Sequence, residues 1–118
     1  MAIGLDEPPA DACALVLESE EEVLISAGTL AELLIVAGQR NLGAAAARLV
    51  ARFGLIVVPV TATSAMRIGD AYRSWGKGVH PAALNLGDCF AYAVAEEYGC
   101  PLLYVGNDFA KTGIASAL

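Results

Sequence analysis

Apolar residues in this chain gather into short unbroken runs of strand length separated by longer stretches with helical spacing. The clearest run, Leu55-Ile56-Val57-Val58-Pro59-Val60, shows no polar alternation and predicts a strand covered on both faces, as in a parallel sheet. Glu22-Val23-Leu24-Ile25-Ser26 and Pro101-Leu102-Leu103-Tyr104-Val105 predict two further strands. Between them the spacing predicts helices. One runs from a cap at Ser26 or Thr29 to about Gln39, and one from Ala44 to Phe53, with Leu49 and Val50 inward and Arg48 and Arg52 together on the other face. A third follows a cap at Thr61 or Thr63 and ends near Trp75, and a fourth runs from Asn85 to Gly99. An earlier helix is expected over Asp11–Glu18, behind Pro8-Pro9. Helices alternating with strands in this order predict an α/β layered domain with a mostly parallel sheet.

The size fits that reading: 118 residues, 57% of them hydrophobic, make one domain with a core. Mean hydropathy is +0.58, yet the longest stretch without a charged residue is the 14 from Phe53 to Met66, too short to span a bilayer and broken by Pro59. No secretory leader pattern is visible, so a soluble, cytoplasmic protein is expected. Cys13, Cys89 and Cys100 have no metal-ligand spacing and read as reduced core thiols. The net charge of −6 argues against nucleic acid until it is divided by position. Residues 1–22 hold seven acids and no base, whereas residues 23–118 hold six acids and seven bases. The body is therefore +1, and nucleic-acid binding stays open.

Three of the body's acids stand out. Glu32 is the one charge in Leu30-Ala31-Glu32-Leu33-Leu34-Ile35-Val36, a place where a carboxylate needs compensation, by a metal ion or by the dipole of a first helical turn open to solvent. Asp88 comes three residues after Asn85, which suits either a capping box or a ligand, and Gly87 beside it permits close approach. Asp108 follows the last strand in Val105-Gly106-Asn107-Asp108, at the carboxyl end where open α/β sheets bind ligands, or in an ordinary turn. Together they form the oxygen donor set that suits Mg²⁺. His80 has no triad partner and reads as a packing or solvent residue, and Gly76-Lys77-Gly78 matches neither phosphate-loop nor dinucleotide patterns.

Leu84-Asn85-Leu86-Gly87-Asp88-Cys89-Phe90-Ala91-Tyr92, followed by Leu102 to Phe109 and preceded by Ala71-Tyr72-Arg73-Ser74-Trp75-Gly76-Lys77-Gly78-Val79-His80-Pro81, resembles the VapC-type toxins of the PIN-domain family. The resemblance runs from about Asp6-Glu7-Pro8 to the C-terminus. It implies a three-layer α/β/α domain over residues 1–118 and a metal-dependent endoribonuclease, the toxin of a type II toxin–antitoxin pair. Glu32, Asp88 and Asp108 would be the family's second, third and fourth acids, catalytic through Mg²⁺ or Mn²⁺. Arg73 and Lys77, with Arg48 and Arg52 as weaker candidates, would steer the RNA backbone. The implied partners are RNA, a VapB-type antitoxin and a second copy in a homodimer, with no membrane. The alternative is a non-catalytic relative that captures an antitoxin or self-associates.

Two departures from the family pattern shape the expectations. Met1-Ala2-Ile3-Gly4-Leu5 leads straight into Asp6-Glu7-Pro8, so the first strand and the acid at its end are expected to be missing, and full activity is expected only where that acid is supplied. Lys111-Thr112-Gly113 also lacks the Asp that often follows the Thr.

Overall fold

The computed structural model describes residues 2–3, 22–52, 54–103, 111–114 and 116. The helix expected over residues 11–18, Cys13 and the candidate ligand Asp108 lie outside the described residues. The described elements, in order, are β1 (Ala2–Ile3), β2 (Leu24–Ser26), α1 (Ala27–Gln39), α2 (Gly43–Arg52), β3 (Ile56–Val58), α3 (Ala62–Trp75), α4 (Leu86–Tyr98) and β4 (Leu102–Leu103). The four strands form one parallel sheet in the order β3-β2-β1-β4, with Ala2 level with Leu24 on one side and Leu102 on the other. The predicted α/β class with a parallel sheet is what the chain adopts. No described helix is long and apolar enough to cross a membrane.

Two expectations need correction. The first strand is not missing: Ala2–Ile3 forms β1 between β2 and β4, near the middle of the sheet. Two residues are too few for a period-2 pattern to register, so parallel neighbours on both sides define this strand where its own sequence does not. The second correction concerns β3. The apolar run around it predicts cover on both faces, but β3 is an edge strand in which only Val58 is buried, while Ile56 and Val57 are 46% and 43% exposed. A continuous apolar run reports composition and not sheet position, and here it belongs to the sheet's rim.

Caps set the helix starts. Ser26 caps α1, its Oγ accepting the Gly28 N–H at 3.2 Å. Thr61 and Ser64 cap α3 reciprocally, the Ser64 N–H donating to Thr61 Oγ1 at 3.2 Å and the Thr61 N–H to Ser64 Oγ at 2.6 Å. Gly99 ends α4 with φ 59°, the left-handed conformation that glycine adopts without strain.

The central element is α4. Asp88, Cys89 and the run Ala91 to Ala95 are buried, a girdle expected of a helix covered on all sides rather than along one stripe. It packs against α1, α3 and strands β1, β2 and β4, and its small alanines let those neighbours approach. Leu24, Val58, Ile68, Leu84 and Leu102 complete the core around it. The α1–α4 contact is tight at Gly28, where an added Cβ would stand 2.6–2.8 Å from the Phe90 ring. Gly28→Ala is therefore expected to lose about 1–3 kcal/mol by overpacking despite alanine's better helix propensity, read as a lower urea midpoint with an unchanged slope.

Candidate metal centre

The site begins with a cap. Asn85 stands at the N-terminus of α4 in extended conformation, with φ −87° and ψ 177°. Its Oδ1 accepts the Asp88 N–H at 2.8 Å, and Asp88 Oδ2 accepts the Asn85 N–H at 3.0 Å. This reciprocal capping box satisfies two N–H groups of the first turn and fixes the Asp88 carboxylate, 5% exposed, at the positive end of the helix. The capping role weighed for Asp88 from sequence is thus real. It uses one carboxylate oxygen, and no protein hydrogen bond is described for the other.

Glu32 reaches this point from α1. The helix begins at Ala27, so Glu32 lies in its second turn and not in the first, and the reading in which the helix dipole compensates it does not apply. Part of the side chain is open to solvent, but its carboxylate end rests on Gly87, where an added Cβ would collide with Oε2 and stand 2.9 Å from Oε1. Gly87 is the residue just before Asp88, so the bare peptide of the first turn of α4 is what lets the two acids draw together. Burial, and then the negative charge of Asp88, raise the Glu32 carboxyl above the ordinary carboxylate range. Burial and the same charge push the Cys89 thiol up to about 11. With Cys89 fully enclosed in the core, that thiol is an inert packing group, as the reading of a reduced core cysteine expects.

A negative charge beside Glu32 is relieved either by a proton or by a cation placed between the two side chains. Among the described residues neither has a Lys or Arg partner. Hard oxygen donors without His or Cys fit Mg²⁺ or Mn²⁺, and one turn before Glu32 on α1 stands Thr29, whose buried hydroxyl has no hydrogen-bond partner among the described residues. Among the described residues no three His, Cys, Asp or Glu side chains come together. The structure thus joins two of the three predicted acids, and Asp108 lies outside the described residues.

Gly87→Ala tests the close approach directly. The methyl group would push aside a flexible carboxylate rather than backbone, and alanine favours the helix by about 0.5–1 kcal/mol. The variant is expected to melt at or above the parent temperature while its response to added Mg²⁺ is largely lost, both measurable by thermal denaturation with and without the ion.

Of the basic candidates, Lys77 is tied to the segment that enters this helix. Arg73, in the last turn of α3, is exposed and donates to Asp70 Oδ1 at 2.8 Å, which reduces the free charge it offers. Lys77 is exposed in the following loop. Its N–H donates to the Leu84 carbonyl at 2.9 Å, and Leu84 N–H donates to the Trp75 carbonyl at 3.0 Å, so the loop closes one residue before Asn85. Arg48 and Arg52 are exposed on α2, away from α4 in sequence and packed by way of α1. His80 is a packing residue. Its ring meets Trp75 edge-on, with centroids 4.8 Å apart, and its Nδ1 accepts the Ala82 N–H at 3.0 Å. Sequence reading passed over Thr29 in all but its capping potential, because nothing in a lone threonine signals a buried hydroxyl.

Residues 1–115 match the PIN domain family. The chain is 41% identical over 112 residues to the VapC ribonuclease Mb2004c of Mycobacterium bovis, covering 92% of this chain and 81% of that protein. It is 38% identical over 122 residues to ribonuclease VapC28 of Mycobacterium tuberculosis, covering 100% of this chain and 92% of that protein. Ribonuclease VapC30 of the same species is 37% identical over 119 residues, covering 98% and 91%. A match of this extent, on a parallel α/β sheet with an acid in the first turn of its central helix, shows that the chain belongs to the PIN-domain family, among its VapC-type toxins.

Proposed function

We propose that this chain is a metal-dependent endoribonuclease, the toxin of a toxin–antitoxin pair, with Glu32, Asp88 and Asp108 as its catalytic acids. The observation that carries the reading is the meeting of Glu32 with Asp88 across Gly87, a carboxylate pair lacking a cation partner among the described residues. Its relatives are ribonucleases by name.

Glu32 and Asp88, with Asp108, are the residues that would hold Mg²⁺ or Mn²⁺. The ion's contribution is to make a nucleophile from water at neutral pH and to neutralise charge on the phosphoryl oxygens. The chain's own residues do the positioning. The capping box fixes Asp88 before any ligand arrives, so no rotamer entropy is spent on it. Gly87 sets how near Glu32 comes. Lys77 and Arg73, at the loop entering α4, attract the phosphate backbone toward the acids. The exposed apolar residues Leu34 and Ile35 on α1 and Leu42 after it suit cover by a VapB-type antitoxin or a second copy in a homodimer. The cytoplasm, where RNA is met, is the proposed location.

The test is cleavage of a structured RNA by the purified chain, with Mg²⁺ and with chelator. Slow cleavage that requires the ion is expected, because the family's first acid has no counterpart in its usual motif. Cleavage that persists in chelator, or its complete absence at high Mg²⁺, would sink the proposal, and the second outcome would favour a non-catalytic binding module.

A further inference from the structure

Thr29 carries a buried hydroxyl with no part in the cap of α1. It lies in the first turn of α1, is 1% exposed, and its Oγ1 has no hydrogen-bond partner among the described residues. The contrast with Ser26 is instructive. Ser26 is nearly as buried, but its hydroxyl accepts the Gly28 N–H and caps the helix. The cap is therefore provided without Thr29, and a buried hydroxyl left without a partner is a cost that native folds rarely carry without a purpose.

Its position supplies the purpose. Gly28 and Glu32, one turn apart on α1, touch α4 at Phe90 and Gly87. Thr29 follows Gly28 and stands three residues before Glu32, so on the helix surface it neighbours both and shares a flank with Glu32. The result is a buried hydroxyl on the helix that carries Glu32, three residues from one member of a carboxylate pair that lacks a cation partner among the described residues. A hard divalent ion keeps much of its hydration shell when only a few carboxylates hold it, and that shell needs acceptors and donors from the surrounding protein.

We infer that Thr29 is a positioning residue of the cation site, its hydroxyl held in reserve for the hydration shell of the ion that Glu32 and Asp88 bind. The inference rests on the metal reading of that pair and goes beyond it by assigning an outer-shell residue on the chain's own α1. A hydroxyl with no other duty costs the metal-free protein stability and favours the metal-bound one.

The measurement is the affinity of the full chain for Mn²⁺ by electron paramagnetic resonance, with thermal melting in chelator, for the parent, Thr29→Val and Thr29→Ser. Valine keeps the shape and removes the hydroxyl, so the metal-free melting temperature is expected to hold or rise while Mn²⁺ affinity falls about 10-fold or more. Serine, which keeps the hydroxyl, is expected to restore parent affinity. If Thr29→Val binds Mn²⁺ as the parent does, the inference fails and the carboxylate site stands. If Thr29→Val melts lower in chelator, or Thr29→Ser loses as much affinity as Thr29→Val, the residue acts by packing and the inference fails. A parent chain that binds no Mn²⁺ overturns the metal reading and this inference together.

Discussion

Asp88→Ala is expected to remove Mg²⁺-dependent RNA cleavage and to destabilise the fold, while Asp88→Asn removes the first and spares the second. The carboxylate has two separable duties. One oxygen accepts the Asn85 N–H and helps close the cap of α4, the helix on which the core is assembled. Alanine removes the partner of that donor at a part-buried helix cap, at a cost of about 0.5–2 kcal/mol, or roughly 4–8 °C in melting temperature per kcal/mol for a domain near this size. Asparagine presents a carbonyl oxygen to the same N–H and keeps the cap. Neither variant offers a charge to a cation. Because a bound ion supplies several kcal/mol of charge stabilisation and each 1.4 kcal/mol is about a factor of ten in rate, both variants should cleave at least about 100-fold more slowly. Melting curves and cleavage rates on the same two preparations check this. Equal destabilisation by both substitutions, or cleavage by Asp88→Asn near the parent rate, contradicts it.

Glu32→Gln carries the second large effect, and its signature is a pH dependence. The Glu32 carboxyl is raised by burial and by Asp88, so the folded protein holds that proton more tightly than the unfolded chain does. Its contribution to stability is therefore fully present below the ordinary carboxylate value. It is lost as pH rises through the interval up to the raised folded value, and at pH 7 the ionised pair is a net cost. Glutamine does not titrate. The variant should melt at nearly the parent temperature at pH 4 and above it at pH 7, by about 1–3 °C once solvent screening of a partly exposed group is allowed for. Added Mg²⁺ should raise the parent's melting temperature at pH 7 and leave the variant's unchanged, and cleavage by the variant should be lost with it. A variant that melts below the parent at pH 7 would show that Glu32 is held by an attraction instead.

How far the sequence disclosed all this depends on what each residue reports. Asn85 and Asp88 were readable as a cap because a capping box is a local device, complete within four residues. Glu32 was conspicuous as a lone charge among apolar neighbours, but its nearness to Asp88 depends on Gly87 being glycine and on α1 crossing α4 at Gly28 and Phe90, contacts that join distant parts of the chain. The parallel sheet was readable from its order of elements. The place of β1 was not, since Ala2–Ile3 acquires its identity from β2 and β4. The exposure of β3 was hidden for the converse reason: Ile56 and Val57 look like core by composition, and only the strand order sets them at the rim. The buried hydroxyl of Thr29 is silent in sequence, because burial belongs to the fold and not to the residue.

The rim at β3 has a consequence for the behaviour of the chain in concentrated solution. Its outer peptide groups are a template onto which another extended chain could zip, and two β-branched side chains make the contact greasy. Brevity and an imino acid guard it. The strand is three residues long, and Pro59 follows at once, with no N–H to offer and a fixed φ that resists further extension. In a sequence so rich in apolar residues, that proline is a gatekeeper: it keeps this apolar segment shorter than the six or seven residues a stacked β-fibril requires.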